Sequence, residues 1–210
     1  MFVGALLAAL AGCGRPPAAE VTIGRAATPL PSTSTTSTTT METPATPVTF
    51  RVTSFDVDGP GKAASVAAVK AAVVKTLDAY LEAGVLAPLR SGGPAGELSP
   101  LFTARAAAHM KATADRNAFI DEGLPPAPRI VAVVSALRLA GLAGPGGDVV
   151  LVAARMDLTL VAGAQGATIT IARDADLMLV ADGSAWKIDS YRVRVSRDTP
   201  DPSATMVAGS

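Results

Sequence analysis

The chain has 210 residues, 49% of them hydrophobic and 17% charged, and its 18 Lys plus Arg balance 18 Asp plus Glu. Such a length suits one ordinary domain with extensions, and zero net charge leaves no global field to draw in a polyanion. Aromatic residues are only 4%, too few for the stacking platforms that hold single strands, so nucleic acid is not an expected partner. One cysteine, Cys13, and one histidine, His109, exclude an internal disulfide and the Cys/His sets of structural zinc. No cofactor is expected.

Residues 2–12 are apolar or small throughout. As a helix at about 1.5 Å per residue they reach less than 20 Å, short of a bilayer core of roughly 30 Å. The run reads instead as the h-region of a secretory signal peptide, with small residues Ala11 and Gly12 where a peptidase needs an unobstructed backbone. No Lys or Arg precedes it, and Arg15 is the first basic residue. A signal normally opens with positive charge, so the leader is expected to be incomplete at Met1.

Leu10-Ala11-Gly12-Cys13 resembles the lipobox of bacterial lipoproteins, an aliphatic residue and two small ones before the cysteine. The resemblance implies cleavage between Gly12 and Cys13 and a diacylglyceryl thioether on Cys13, with palmitate-type chains holding the mature protein to the extracytoplasmic face of the cell membrane. Cysteine suits that chemistry because its thiolate is a strong nucleophile near neutral pH.

A tether follows, residues 13–47. Between Thr28 and Pro47 sixteen of twenty residues are Thr, Ser or Pro, a composition that cannot bury enough apolar area to offset chain entropy. As a flexible coil it would average roughly 30 Å end to end, and about 100 Å if fully polyproline-like. Either length lifts a domain clear of lipid head groups.

The folded domain is expected over 48–198, with a disordered tail at 199–210. Residues 49–59 alternate as Phe50 and Val52, then Phe55 and Val57 out of phase, as a bulged strand would. Val66, Val69, Val73, Leu77, Tyr80 and Leu81 recur at spacings of three and four, predicting a long helix over 61–87 that Pro88 stops. Ser99-Pro100 opens a second helical stretch, continuous or broken near Thr103, and Asp115 is a candidate cap for a further turn through Ile120.

Beyond Arg129 the period becomes two. Four runs, 129–142, 148–161, 167–180 and 185–197, are separated by GPGG, GAQG and DGS, so an antiparallel meander of hairpins is predicted. In the second run Val150, Val152, Met156, Leu158 and Leu160 share the dry face, and Arg155, Asp157 and Thr159 the wet one.

The fold class is therefore α+β: a curved four- to five-stranded antiparallel sheet wrapped on one long and one or two shorter helices. This element order, ending in GSAWKIDSYRV, resembles the NTF2-like or cystatin-like cone of secreted actinobacterial proteins, Mce-associated proteins among them. That resemblance implies a core-packing role for Trp186 and an interior that can serve as a pocket, which Tyr80, Phe102, Met110, Met156, Leu158 and Trp186 would line.

Catalysis in such a cone needs an acid or histidine inside it. Asp157 falls on the wet face. Asp174 and Asp176 share a face with Thr168 and Thr170 and read as solvated. His109 has no acid or nucleophile spaced against it in its helix, and there is no phosphate loop, G-x-S-x-G or H-E-x-x-H. The reading is a non-enzymatic, lipid-anchored cell-envelope protein that binds a partner protein or an apolar ligand. Alternatives are an isomerase- or hydratase-type enzyme, and a structural subunit of an envelope transport complex.

Overall fold

The computed structural model describes residues 48–199, apart from 60, 114, 165 and 166. The leader, Cys13, the tether and the tail from 200 onward lie outside the described residues. The fold is α+β, with one five-stranded sheet in the order β1-β2-β3-β4-β5 and helices on one face.

Strands β2 (Arg129–Ala143), β3 (Val149–Ala164), β4 (Ala167–Asp182) and β5 (Ala185–Asp198) form the expected antiparallel meander. Strand β1 (Arg51–Asp58) differs: it joins β2 in parallel, Arg51 opposite Ala136 and Asp58 opposite Leu142, so the sheet is mixed. The reason is the connection. Residues 59–128 carry the helices of the described residues, and a crossover of that length returns the chain to the end of the sheet from which β1 started, which a tight turn cannot do.

Register shifts interrupt the ladder at Val52/Ser54, Ala132/Val134, Leu142/Ala143 and Met178/Leu179. Bulges of this kind bend a strand and increase its twist, which curves the sheet around the helices. One of them corrects the predicted faces. At the Leu142/Ala143 shift Val149 becomes the buried residue and Val150, expected on the dry face, is 49% exposed. From Val152 onward the alternation is as read.

Helix α1 (Ala63–Tyr80) lays Val69, Val73, Leu77 and Tyr80 on the sheet. It does not stop at Pro88. It runs through a π-turn (Leu81–Leu86) into α2 (Ala87–Ser91), which carries Pro88 in its first turn and ends on Gly92 in the left-handed conformation, φ +67°. In the π-turn the Ala87 N–H donates to Glu82 O, five residues back. Proline lacks an N–H and its ring crowds the carbonyl four residues earlier. The wider turn accommodates Pro88 by releasing that carbonyl, Gly84 O, from the helix ladder.

The released carbonyl is used elsewhere, accepting the Asp121 N–H at 3.0 Å. A Cβ at Gly84 would meet Phe119 O at 2.8 Å, so only glycine lets the 119–121 backbone approach the helix this closely.

A 3-10 turn (Ser99–Leu101) and helix α3 (Ala104–Ala112) follow, with the break at Thr103. The Thr103 hydroxyl caps α3 by accepting the Ala106 N–H at 3.3 Å and donates to Asp189 Oδ1 at 3.0 Å, while the Thr103 N–H donates to Ile188 O. This ties α3 to β5. The short α4 (Arg116–Phe119) then leads into the loop that returns to β2. One hydrophobic cluster runs through the whole arrangement, and among the described residues no helix is long and apolar enough to cross a membrane.

Candidate functional site

Within this apolar core lies a polar cluster built from three elements. On β4 the residues alternating with the wet face are Ile169, Ile171, Arg173, Ala175, Leu177 and Leu179, and all are buried. Arg173 thus projects to the dry side, 1% exposed, with Leu158 and Val195 as its neighbours across the strands. The loop after α4 delivers Asp121, also 1% exposed.

The Asp121 carboxylate accepts from two guanidinium groups, Arg173 Nη2 at 3.0 Å and Arg197 Nε at 2.7 Å. Arg197, near the end of β5, also donates through Nη2 to Asn117 O at 3.0 Å and Ile120 O at 2.7 Å. Those last carbonyls of a helical turn have no partner within the helix. One arginine therefore holds the carboxylate and caps α4.

Tyr80 completes the cluster from α1. Its ring meets Phe119 edge-on at 5.7 Å, and its hydroxyl is fully buried with no protein hydrogen-bond partner. Burial, reinforced by the Asp121 charge and opposed by Arg173 and Arg197, pushes the phenol up to about 12. It remains a protonated donor at neutral pH. Nε and Nη1 of Arg173 are likewise buried without a protein partner.

Phe119 links this interior to the surface. Besides Tyr80 it meets Phe102 at 5.2 Å and Tyr191 at 4.8 Å, both edge-on, and Tyr191 continues to His109 at 6.1 Å. At the outer end Asp115 accepts from the Tyr191 hydroxyl at 3.2 Å and stands 3.5 Å from His109 Nε2. Burial first, then the Asp115 charge, raises the Tyr191 phenol above its ordinary value. Sequence reading gave His109 no acid. The structure corrects this, because the turn after α3 folds Asp115 back over the last turn of that helix. Asp115 heads α4 but makes no side-chain cap; its carboxylate faces His109 and Tyr191 instead.

The six residues expected to line a pocket, Tyr80, Phe102, Met110, Met156, Leu158 and Trp186, are all buried in the one core cluster. They pack against protein. Of the six, Met110 borders a hollow of about 180 Å³ between the 95–99 loop and Arg116. Trp186 is a core residue, and its carbonyl accepts from Thr76 Oγ1 at 2.8 Å. Asp157 lies on the wet face as read, accepting from Arg138 at 2.6 Å, and Asp174 and Asp176 are exposed there. Arg173 and Asp121 were not singled out. The alternation of β4 signals Arg173, whereas nothing local signals Asp121.

The helix-free face of the sheet carries a broad trough of about 480 Å³ crossing all five strands, with Asp56, Arg138, Arg155, Asp176 and Arg192 among its walls. Of these, Arg138 pairs with Asp157, while Arg155, Asp176 and Arg192 form no ion pair with other described residues. In comparisons with known proteins, no family model, no curated protein and no solved structure matches this chain.

Proposed function

We propose that this is a lipid-anchored protein of the cell envelope whose domain, an NTF2-like cone, acts without catalysis as an accessory module that docks a partner protein on its helix-free sheet face. The observation that carries the docking reading is the trough across five strands, with Arg155, Asp176 and Arg192 charged, exposed and unpaired. Charges of both signs left free on one surface favour a complementary protein over a uniformly charged polymer. The packed interior supports the same choice of face: the side chains expected to bound an internal pocket are in contact with one another's cluster.

A proton-transfer enzyme needs a carboxyl or imidazole that can exchange a proton with a substrate in a cavity. Asp121 has both oxygens engaged by arginines, and His109 is exposed on a helix with an acid beside it. Neither arrangement favours the isomerase or hydratase alternative.

The anchor is the LAGC sequence at Leu10 to Cys13, with the Thr/Pro-rich tether behind it. Two chains on one thioglycerol give stable attachment where a single acyl chain binds only marginally. Metabolic labelling with a palmitate analogue tests it: label is expected on the wild type and absent from Cys13→Ala. Equal labelling of both overturns the anchor. For the docking face, an Arg155→Glu/Arg192→Glu variant is expected to lose the crosslinks that the wild-type domain forms in its own membranes, with its thermal unfolding unchanged.

A further inference from the structure

The interior cluster has more donors than acceptors, and that imbalance defines a ligand. A guanidinium carries five N–H groups and no acceptor. Arg173 places one donor nitrogen, Nη2, on Asp121, and leaves Nε and Nη1 buried without a protein partner. The Tyr80 hydroxyl lies near enough to Arg173 for the guanidinium to act on it by charge and by a weak side-chain hydrogen bond, yet it has no partner of good hydrogen-bond geometry and is a third buried group short of partners. Charge is out of balance too: two guanidinium groups, Arg173 and Arg197, face the single carboxylate of Asp121. Native interiors satisfy such groups.

We infer that Arg173 and Tyr80 hold a single small monovalent anion of halide size in the interior of the domain. An anion supplies only acceptors, which is what Nε, Nη1 and a phenol lack, and it balances the second guanidinium, which a neutral water would not. Size follows from the surroundings. The four hollows described on the surface are not walled by Arg173, Tyr80 or Asp121, which argues against a lipid or an extended carboxylate as the ligand. The Phe119 ring against Tyr80 and Leu158 beside Arg173 make its apolar walls. The inference is independent of the lipid anchor and of the docking face.

The consequence is a domain whose stability depends on halide. A ligand bound only by the folded state stabilises it in proportion to the logarithm of its concentration. The test is thermal unfolding of the full chain in chloride or bromide against gluconate at constant ionic strength, joined to crystals grown in bromide and measured at the bromine absorption edge. A rise in Tm that continues with the logarithm of halide concentration is expected, roughly 5–10 °C at a hundredfold excess over Kd, with an anomalous peak within hydrogen-bond reach of Arg173 and Tyr80. Tyr80→Phe, which keeps the ring and its packing, is expected to raise the apparent Kd several-fold. Arg90→Ala, which touches only the surface pair with Glu82, is expected to leave it unchanged. A Tm that ignores the identity of the anion, a response identical in Tyr80→Phe, or water alone at the site overturns the proposal.

Discussion

Two arginine–aspartate pairs tie adjacent parts of this molecule, and they differ almost only in where they lie. Arg138 and Asp157 meet at 2.6 Å on the wet face, their side chains 55% and 26% exposed, whereas Arg173 and Asp121 meet at 3.0 Å with both side chains at 0%. The shorter contact is the weaker determinant of the fold. Water and salt screen an exposed pair and hydrate either partner once the other is gone. A buried pair has surrendered its hydration, so losing one partner strands a charge in a medium that cannot solvate it. Position in the dry-wet alternation sets the energetic weight of the contact, not its length.

The largest effect should come from breaking the interior pair on one side. Asp121→Asn removes the charge that faces both Arg173 and Arg197, and a loss of about 3–5 kcal/mol in denaturant unfolding is expected. Replacing both members, Asp121→Leu with Arg173→Met, should cost less than the single change, because the fully buried guanidinium is then gone and Arg197, 28% exposed, keeps its carbonyl partners and water. A double variant no better than the single would show that the pair contributes specific geometry rather than mutual neutralisation.

Tyr80 gives the same region a pH signature. Its folded value, about 12, lies above the ordinary 10.0. The stability it contributes is therefore complete below the unfolded value and lost as pH rises through the folded one. Two units of difference correspond to about 3 kcal/mol. Alkaline unfolding should be steep between those values in the wild type and flatter in Tyr80→Phe, with Tyr191 supplying what slope remains.

Gly84→Ala probes how Asp121 is delivered. Helix propensity alone would make alanine stabilising by about 1 kcal/mol. The close approach of Phe119 O reverses the sign, and a net loss of about 1–2 kcal/mol is expected from the forced backbone shift. The smallest effect belongs to the wet face, where Arg138→Ala should cost no more than about 0.5–1 kcal/mol. A larger loss there would erase the contrast between the two pairs.

Half of the interior site can be read along the chain. In ATITIARDADLMLV the odd positions from Ile169 to Leu179 are apolar except Arg173, and period two places that arginine among them. Its partner cannot be read so, because Asp121 belongs to a loop with no periodicity, and its approach depends on the Gly84 carbonyl, far back along the chain in the helix. The same holds for Asp115, which pairs with His109 and Tyr191 only after the chain has folded back. Pro88 shows a local rule overridden: proline breaks an α-ladder, but a π-turn before it removes the conflict.

Local pattern alone determined the α+β class, the bulged first strand, the buried face of the long helix and the four-strand meander, because each depends on contacts between near neighbours with a fixed period. The LAGC run and the Thr/Ser/Pro-rich stretch that follows it are likewise patterns of consecutive residues. Tertiary structure decided the parallel placement of β1, the burial of the six expected pocket residues in one core cluster, and the meeting of Asp121 with Arg173 and Arg197 across 52 and 76 residues of chain. Those outcomes rest on long-range closure, in which the position of one segment is set by the shape of another, and no short window of sequence contains both.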